Sequence, residues 1–304
     1  MAFTIPPYFP SIKDALASLF GSNVKIAHSC RVSGGDINEA YDLTLSNGSR
    51  IFMKSNAKEN IGFFTAEAMG LQAIAQTKTI QTPPILCFGT EEAHNGYSFL
   101  LLVFASGKRR KEAYWQTFAQ QLAAMHNAPA AEFVPGGNYG FIQDGYIGAT
   151  KQHNNPHMSW VAFFRDCRLK PQFQAAARYF DSKTLKKTDW LLNHLDNFLE
   201  EPKRPSLLHG DLWSGNFITG NDGKAWLIDP AAYVGHAEAD IAMTELFGGF
   251  SPAFYDAYME SAPLQPGYSR RRDLYNLYHL LNHLNLFGRT YLTSVTRVID
   301  EYAK

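Results

Sequence analysis

Neither sign of charge prevails in this chain: 28 Lys and Arg stand against 28 Asp and Glu over 304 residues. No net field draws it to nucleic acid or to a membrane surface, and any anionic ligand must be held by local groups. Cysteine is scarce. Cys30, Cys87 and Cys167 are odd in number and without a Cys-x-x-Cys spacing, which argues against a disulfide framework or a zinc site and fits a reducing cytoplasm. No apolar run approaches the length of a membrane span, and the start, MAFTIPPYFPSIKDALASLF, has three prolines and no basic region ahead of an apolar run, unlike a signal peptide. Internal repeats and low-complexity tracts are lacking too. What remains is a globular composition, 45% hydrophobic, in a chain long enough for one large domain or two lobes.

The two ends of the chain differ in pattern. Over residues 1–105 short strands dominate. SIKDALASLFG reads as a helix capped by its Ser and ended by Gly21. Strand-like arms at about Asn38 to Leu45 and Arg50 to Ser55 flank LSNGSR, where Asn47-Gly48 supplies the positive φ of a hairpin turn. FFTAEAMGLQAIAQ has helical spacing, and ILCFGT and YSFLLLVF read as two further strands. This half is expected to be an antiparallel sheet with one helix against it. Over residues 106–304 helices take over, with YWQTFAQQLAAMH, LKKTDWLLNHLDNFL and DLYNLYHLLNHLNLF all periodic. The stretch from Pro129 to Pro156 has no clear period, as binding loops and lids often do not.

Chemistry concentrates in LLHGDLWSGNF, which turns from two leucines into a polar, glycine-rich loop. Asn216 follows Asp211 by five residues, and Asp229 closes AWLID, a short buried strand. Asn216 and Asp229 offer the hard oxygens that Mg²⁺ prefers, and Asp211 is left to accept a proton. The order matches a protein-kinase-like layout of catalytic loop and metal-binding Asp, with Gly210 for the usual Arg and Pro230 for the usual Phe. That layout makes upstream demands. Gly34 and Gly35 stand where a phosphate-covering lid belongs, Lys54 sits on the following hairpin arm, and Glu67 sits on the helix after it.

HGDLWSGN, IDPAAYVGHAEADIAM, ELFGGF and LYHLLNHLNLFG together resemble the fructosamine-3-kinase, or ketosamine kinase, family, relatives of the aminoglycoside and choline phosphotransferases. The resemblance runs from about Ser22 to the end. It implies an α+β, two-lobed protein-kinase-like fold: a nucleotide-binding N-lobe with an antiparallel sheet over 1–105, and a mainly helical catalytic and substrate lobe over 106–304. The implied reaction is transfer of the γ-phosphate of ATP to a ketosamine, free or formed on a protein lysine, with Mg²⁺. Asp211 would be the base, Asn216 and Asp229 the metal ligands, and Trp213 a flat face for the substrate. Lys54, held by Glu67, would grip phosphates under Gly34 and Gly35, and the backbone near Val103 and Ala105 would meet the adenine. Readings set against this are an aminoglycoside- or choline-type phosphotransferase, a metal-dependent hydrolase on His209, Asp211 and Asp229, and a nucleotide-binding pseudoenzyme. His209 and Asp240 are expected to brace the loop; His236, Glu238 and His279 are candidates to line the sugar site, with hydrogen bonding in the core or at the surface the default reading of each. Oligomeric state is not legible.

Overall fold

The computed structural model describes residues 4–32, 37–93 and 96–303. By contacts the chain divides into two compact units, Met1–Tyr114 with Phe217–Pro230, and Trp115–Asn216 with Ala231–Lys304. In the first unit β1 (Tyr8–Phe9) and α1 (Ile12–Phe20) precede β2 (Ile26–Val32), β3 (Glu39–Leu45) and β4 (Arg50–Ala57), followed by α2 (Ile61–Gln76), β5 (Ile85–Glu91) and β6 (Tyr97–Val103). The sheet runs β1-β5-β6-β4-β3-β2. Its pairings are antiparallel except β1, which lies parallel to β5. The caps form as the sequence implies: Ser11 accepts from the Asp14 amide, Gly21 closes α1 at φ 107°, and Asn47 accepts from Ser49 at 3.0 Å in the hairpin turn.

Alternation along β4 decides what each face carries. Ile51 and Met53 join Ile12, Ala15 and Leu16 of α1 in one core cluster, while Phe52 packs with Phe64, Ala68 and Leu71 of α2 in another. The sheet is therefore covered by a helix on both faces, one more than the pattern of residues 1–105 implied. Lys54 follows Phe52 by two and so falls on the α2 face, in a strand flanked by β3 and β6. A lysine in such a place is buried by topology.

The second unit begins with α3 (Tyr114–Asn127) and a small antiparallel pair, β7 (Gly145–Ile147) and β8 (Thr150–Gln152). Then come α4 (Trp160–Phe163), a π-helical turn over Phe164–Leu169, α5 (Lys170–Ala176), α6 (Ser182–Asn193) and β9 (Ser206–Leu208). The chain next returns to the first unit for β10 (Phe217–Thr219) and β11 (Ala225–Leu227), an antiparallel hairpin. Its loop is tied to the strand-to-helix connection: Ser106 donates to Asn221 from both N–H (2.7 Å) and hydroxyl (2.8 Å). The remainder is β12 (Tyr233–Gly235), paired antiparallel with β9, and α7 (Glu238–Leu246), α8 (Pro252–Ser261), α9 (Tyr268–Phe287) and α10 (Leu292–Tyr302). Helix α9 is central, packing against α5, α7 and α10. Among the described residues no helix is long and apolar enough to cross a membrane.

Candidate active site

In the first unit three sequence-predicted residues meet. Lys54 Nζ donates to Glu67 Oε1 at 2.7 Å and also to Asp229 Oδ1. Lys54 is 8% exposed and Glu67 9%, whereas the Asp229 side chain is 43% exposed. Burial acts most strongly on both partners of the buried pair. It pushes Glu67 up to about 7, Asp229 adding to the rise and Lys54 opposing it. On Lys54 burial acts downward, but the charges of Asp229 and Glu67 outweigh it and hold the ammonium well above its ordinary value. Lys54 thus stays a cation despite losing its water. Asp229 follows β11 with φ of 55°, a left-handed conformation that Asp tolerates better than most residues. At the end of β6, Val103 donates its N–H to the Pro84 carbonyl at 2.9 Å, and Ala105 lies two residues beyond. Gly34 and Gly35 lie outside the described residues.

In the second unit the loop after β9 is held from beneath by one buried carboxylate. Asp240, in the first turn of α7, accepts from the His209 amide at 2.7 Å and the Gly210 amide at 2.8 Å. His126 Nε2 lies 3.1 Å from the same carboxylate, and its Nδ1 lies 2.6 Å from the Tyr258 hydroxyl. Burial would raise Asp240, but hydrogen bonding from His126, the nearby histidines and the Gly210 amide outweigh it and keep the group ionised. Gly210 has φ of 82°, and a Cβ there would stand 2.1 Å from the Ala231 carbonyl oxygen. That contact explains why glycine occupies the place of the usual arginine. His209 is fully buried and its Nδ1 accepts from the Asp211 amide at 3.3 Å, the bracing part expected of it.

These contacts give a stability test. Asp240→Ala strips two buried amides and a histidine of their common acceptor, and should cost about 3–5 kcal/mol, as for breaking a buried charged network by removing one member. Urea denaturation measures this; a cost under about 1 kcal/mol would mean the loop holds its shape without Asp240.

Past Gly210 come the candidate groups. Asn216 Nδ2 donates to the Asp211 carbonyl at 2.8 Å and to Oδ2 of the Asp211 carboxylate at 3.0 Å. With its nitrogen so engaged, Asn216 has its side-chain oxygen left for a cation. Trp213 is 38% exposed and lies across the loop over Gly215, where a Cβ would be 2.4 Å from the indole. Phe247 meets it edge to face at 6.4 Å between ring centroids, and His283 stands 4.9 Å beyond Phe247. Gly249 packs against Ser214, a Cβ there coming within 2.5 Å, and this ties ELFGGF to the loop. His236 and Glu238 prove to be core groups: His236 bonds Gln265 at 2.9 Å, and Glu238 pairs with buried Arg271 at 2.7 and 2.8 Å. Sequence reasoning did not single out His126, whose one signal was a histidine at the end of the α3 stripe.

A sheet unit with a buried Lys–Glu pair and a strand-following Asp, and a helical unit with a braced His-Gly-Asp loop and its Asn, define a phosphotransferase of the protein-kinase-like class. The chain belongs to the fructosamine kinase family, whose profile matches residues 8–304, and is an ATP-dependent phosphotransferase. It is 37% identical to a protein of Synechocystis designated probable ketoamine kinase, over 99% of both chains. It is also 37% identical to the chloroplastic protein-ribulosamine 3-kinase of Oryza sativa subsp. indica, over 93% of this chain and 81% of that one. The crystal structure of a protein designated fructosamine-3-kinase from Haemophilus somnus superposes with a TM-score of 0.82 at 30% identity, over 97% of each chain.

Proposed function

We propose that the protein transfers the γ-phosphate of ATP to a hydroxyl of a ketosamine, either a small metabolite or the glycated lysine of a protein. Such a transfer is mostly positioning and charge neutralisation, because charge in its loose transition state lies on the phosphoryl oxygens. The observation that carries the reading is Lys54, kept cationic in a buried place by Glu67 and Asp229. A dry, fixed cation of this kind suits the α and β phosphates. Gly34 and Gly35 are assigned to covering those phosphates, and the backbone at Val103 and Ala105 to the adenine. The Val103 N–H is already spent on Pro84. Nucleotide binding is assigned to the lobe over 1–105 and acceptor binding to that over 106–304, with segment 217–230 packing with the former.

Mg²⁺ is assigned to the side-chain oxygens of Asp229, which is half-exposed, and of Asn216, whose side-chain nitrogen is bonded to Asp211. Such an ion would neutralise charge on the phosphates. Asp211 orients the acceptor hydroxyl and takes its proton. The three thiols are unpaired, which suits a reducing compartment such as the cytoplasm.

Two observations favour a ketosamine among possible acceptors. Trp213 and Phe247 form an exposed aromatic shelf beside the loop, suited to the flat face of a sugar and the stem of its amine substituent. Asp144, the one carboxylate between Gly136 and Asn155, is already engaged by the Asn154 amide at 2.9 Å, His153 at 3.1 Å and Lys151 at 3.2 Å. It has little left for the several ammonium groups of an aminoglycoside. With ATP consumption as the assay, fructoselysine or a morpholine analogue should show kcat/KM at least about tenfold above choline or kanamycin, roughly 1.4 kcal/mol in transition-state binding. Preference for choline or kanamycin would overturn the substrate and leave the kinase assignment in place.

A further inference from the structure

Buried polar atoms without a hydrogen-bond partner are few in native proteins, and each calls for a reason. One of them faces the catalytic aspartate. His279 lies in α9 and is 4% exposed. Its Nδ1 is buried with no hydrogen-bond partner and stands 3.8 Å from Oδ1 of Asp211, about 1 Å longer than an ordinary N–H···O bond. The other carboxylate oxygen is already held by Asn216 Nδ2 at 3.0 Å. The backbone of His279 is fixed, its carbonyl accepting from His283 Nδ1 at 2.8 Å within a helix packed against α5 and α7. Burial drives the imidazole down to about 3, so the ring is neutral, and the carboxylate beside Nδ1 favours the tautomer with its single proton there.

We infer that His279 is a positioning residue for Asp211: its Nδ1–H closes onto Oδ1 once the acceptor is bound, while Asn216 holds Oδ2. The carboxylate is then clamped at both oxygens with its remaining lone pairs toward the acceptor hydroxyl. Hydrogen bonds of catalytic groups are often long in the unliganded enzyme and tighten in the complex, which accounts for the 3.8 Å separation. His279 touches no reacting atom in this scheme and acts only through Asp211. The inference rests on Asp211 being the proton acceptor, as proposed above.

The test is a kinetic double-mutant cycle on the whole enzyme with ATP and fructoselysine. His279→Leu should lower kcat by about 10²-fold, the scale of a 1 Å misplacement of a reacting group, with KM for ATP unchanged. His279→Asn, whose amide can still donate, should recover at least about tenfold of that loss, and in an Asp211→Asn background His279→Leu should cost less than about threefold more, since groups acting as a unit are not additive. Should His279→Leu fail to fold by its thermal melt, His279→Met replaces it in the cycle. Undiminished kcat in His279→Leu, no recovery with Asn, or full additivity with Asp211→Asn each overturns the inference while leaving Asp211 in place. Full turnover by Asp211→Asn alone overturns the proposed base and this inference together.

Discussion

Asp211→Asn is expected to lower kcat by about 10² to 10⁴-fold, the usual contribution of a positioned general base, and to leave binding of Mg-ATP nearly intact. The substitution is isosteric, and an amide oxygen in place of Oδ2 can still accept from Asn216 Nδ2, now at 3.0 Å. The loop itself hangs on Asp240 through the His209 and Gly210 amides, none of which is altered. What changes is the capacity to take a proton from the acceptor. Single-turnover phosphorylation of fructoselysine and nucleotide binding by calorimetry separate the two effects. Wild-type turnover would remove Asp211 from the mechanism; a large loss of nucleotide affinity would place it on the wrong substrate.

Asp229→Ala should abolish activity at every Mg²⁺ concentration, by more than the roughly 10² to 10³-fold of one lost neutral donor, because a charge is removed. Two effects combine. The carboxylate assigned to the cation disappears, and Lys54 loses one of the two anions that offset its burial. Asn216→Ala, by contrast, removes a neutral ligand and should be partly rescued by excess Mg²⁺. Asp229→Asn controls for backbone strain, since Asn accepts the φ of 55° at this position that Ala accepts poorly. Activity in Asp229→Asn close to wild type would show that conformation and not charge matters there. Equal rescue of Asp229→Ala and Asn216→Ala by metal would overturn the division of roles between them.

Much of the local structure was readable because its causes are local. The caps of α1, the Asn47-Gly48 turn and the stripes of α2, α3 and α9 all follow from side chains and backbone preferences within a few residues. The linear order of Lys54, Glu67, Asp211, Asn216 and Asp229 was also readable as a kinase-like layout, since residue type and spacing are local properties of the chain. β1 was not readable. It has two residues near three prolines and exists only through its register with Phe88 and Gly89, where Gly89 is required because a Cβ would meet the Phe9 carbonyl at 1.9 Å. β7 and β8, three residues each, are too short to display a period, so their stretch reads as irregular.

The sequence by itself thus determined the reaction class and supplied the groups proposed to carry it, because charge, hydrogen-bonding capacity and spacing along the chain are properties of residues. Tertiary structure alone decided the state of those groups. That Lys54 is dry yet cationic depends on Asp229, 175 residues away. That the His209 and Gly210 amides are bonded depends on Asp240, itself approached by His126 from 114 residues away, and that segment 217–230 packs with the sheet unit depends on contacts such as Ser106 with Asn221. Nor could any pattern in α9 distinguish His279, whose apolar neighbours announce burial but not that its Nδ1 goes unbonded 3.8 Å from a carboxylate. Burial and electrostatic coupling are set by distances in space, and a fold sets those distances without regard to separation along the chain.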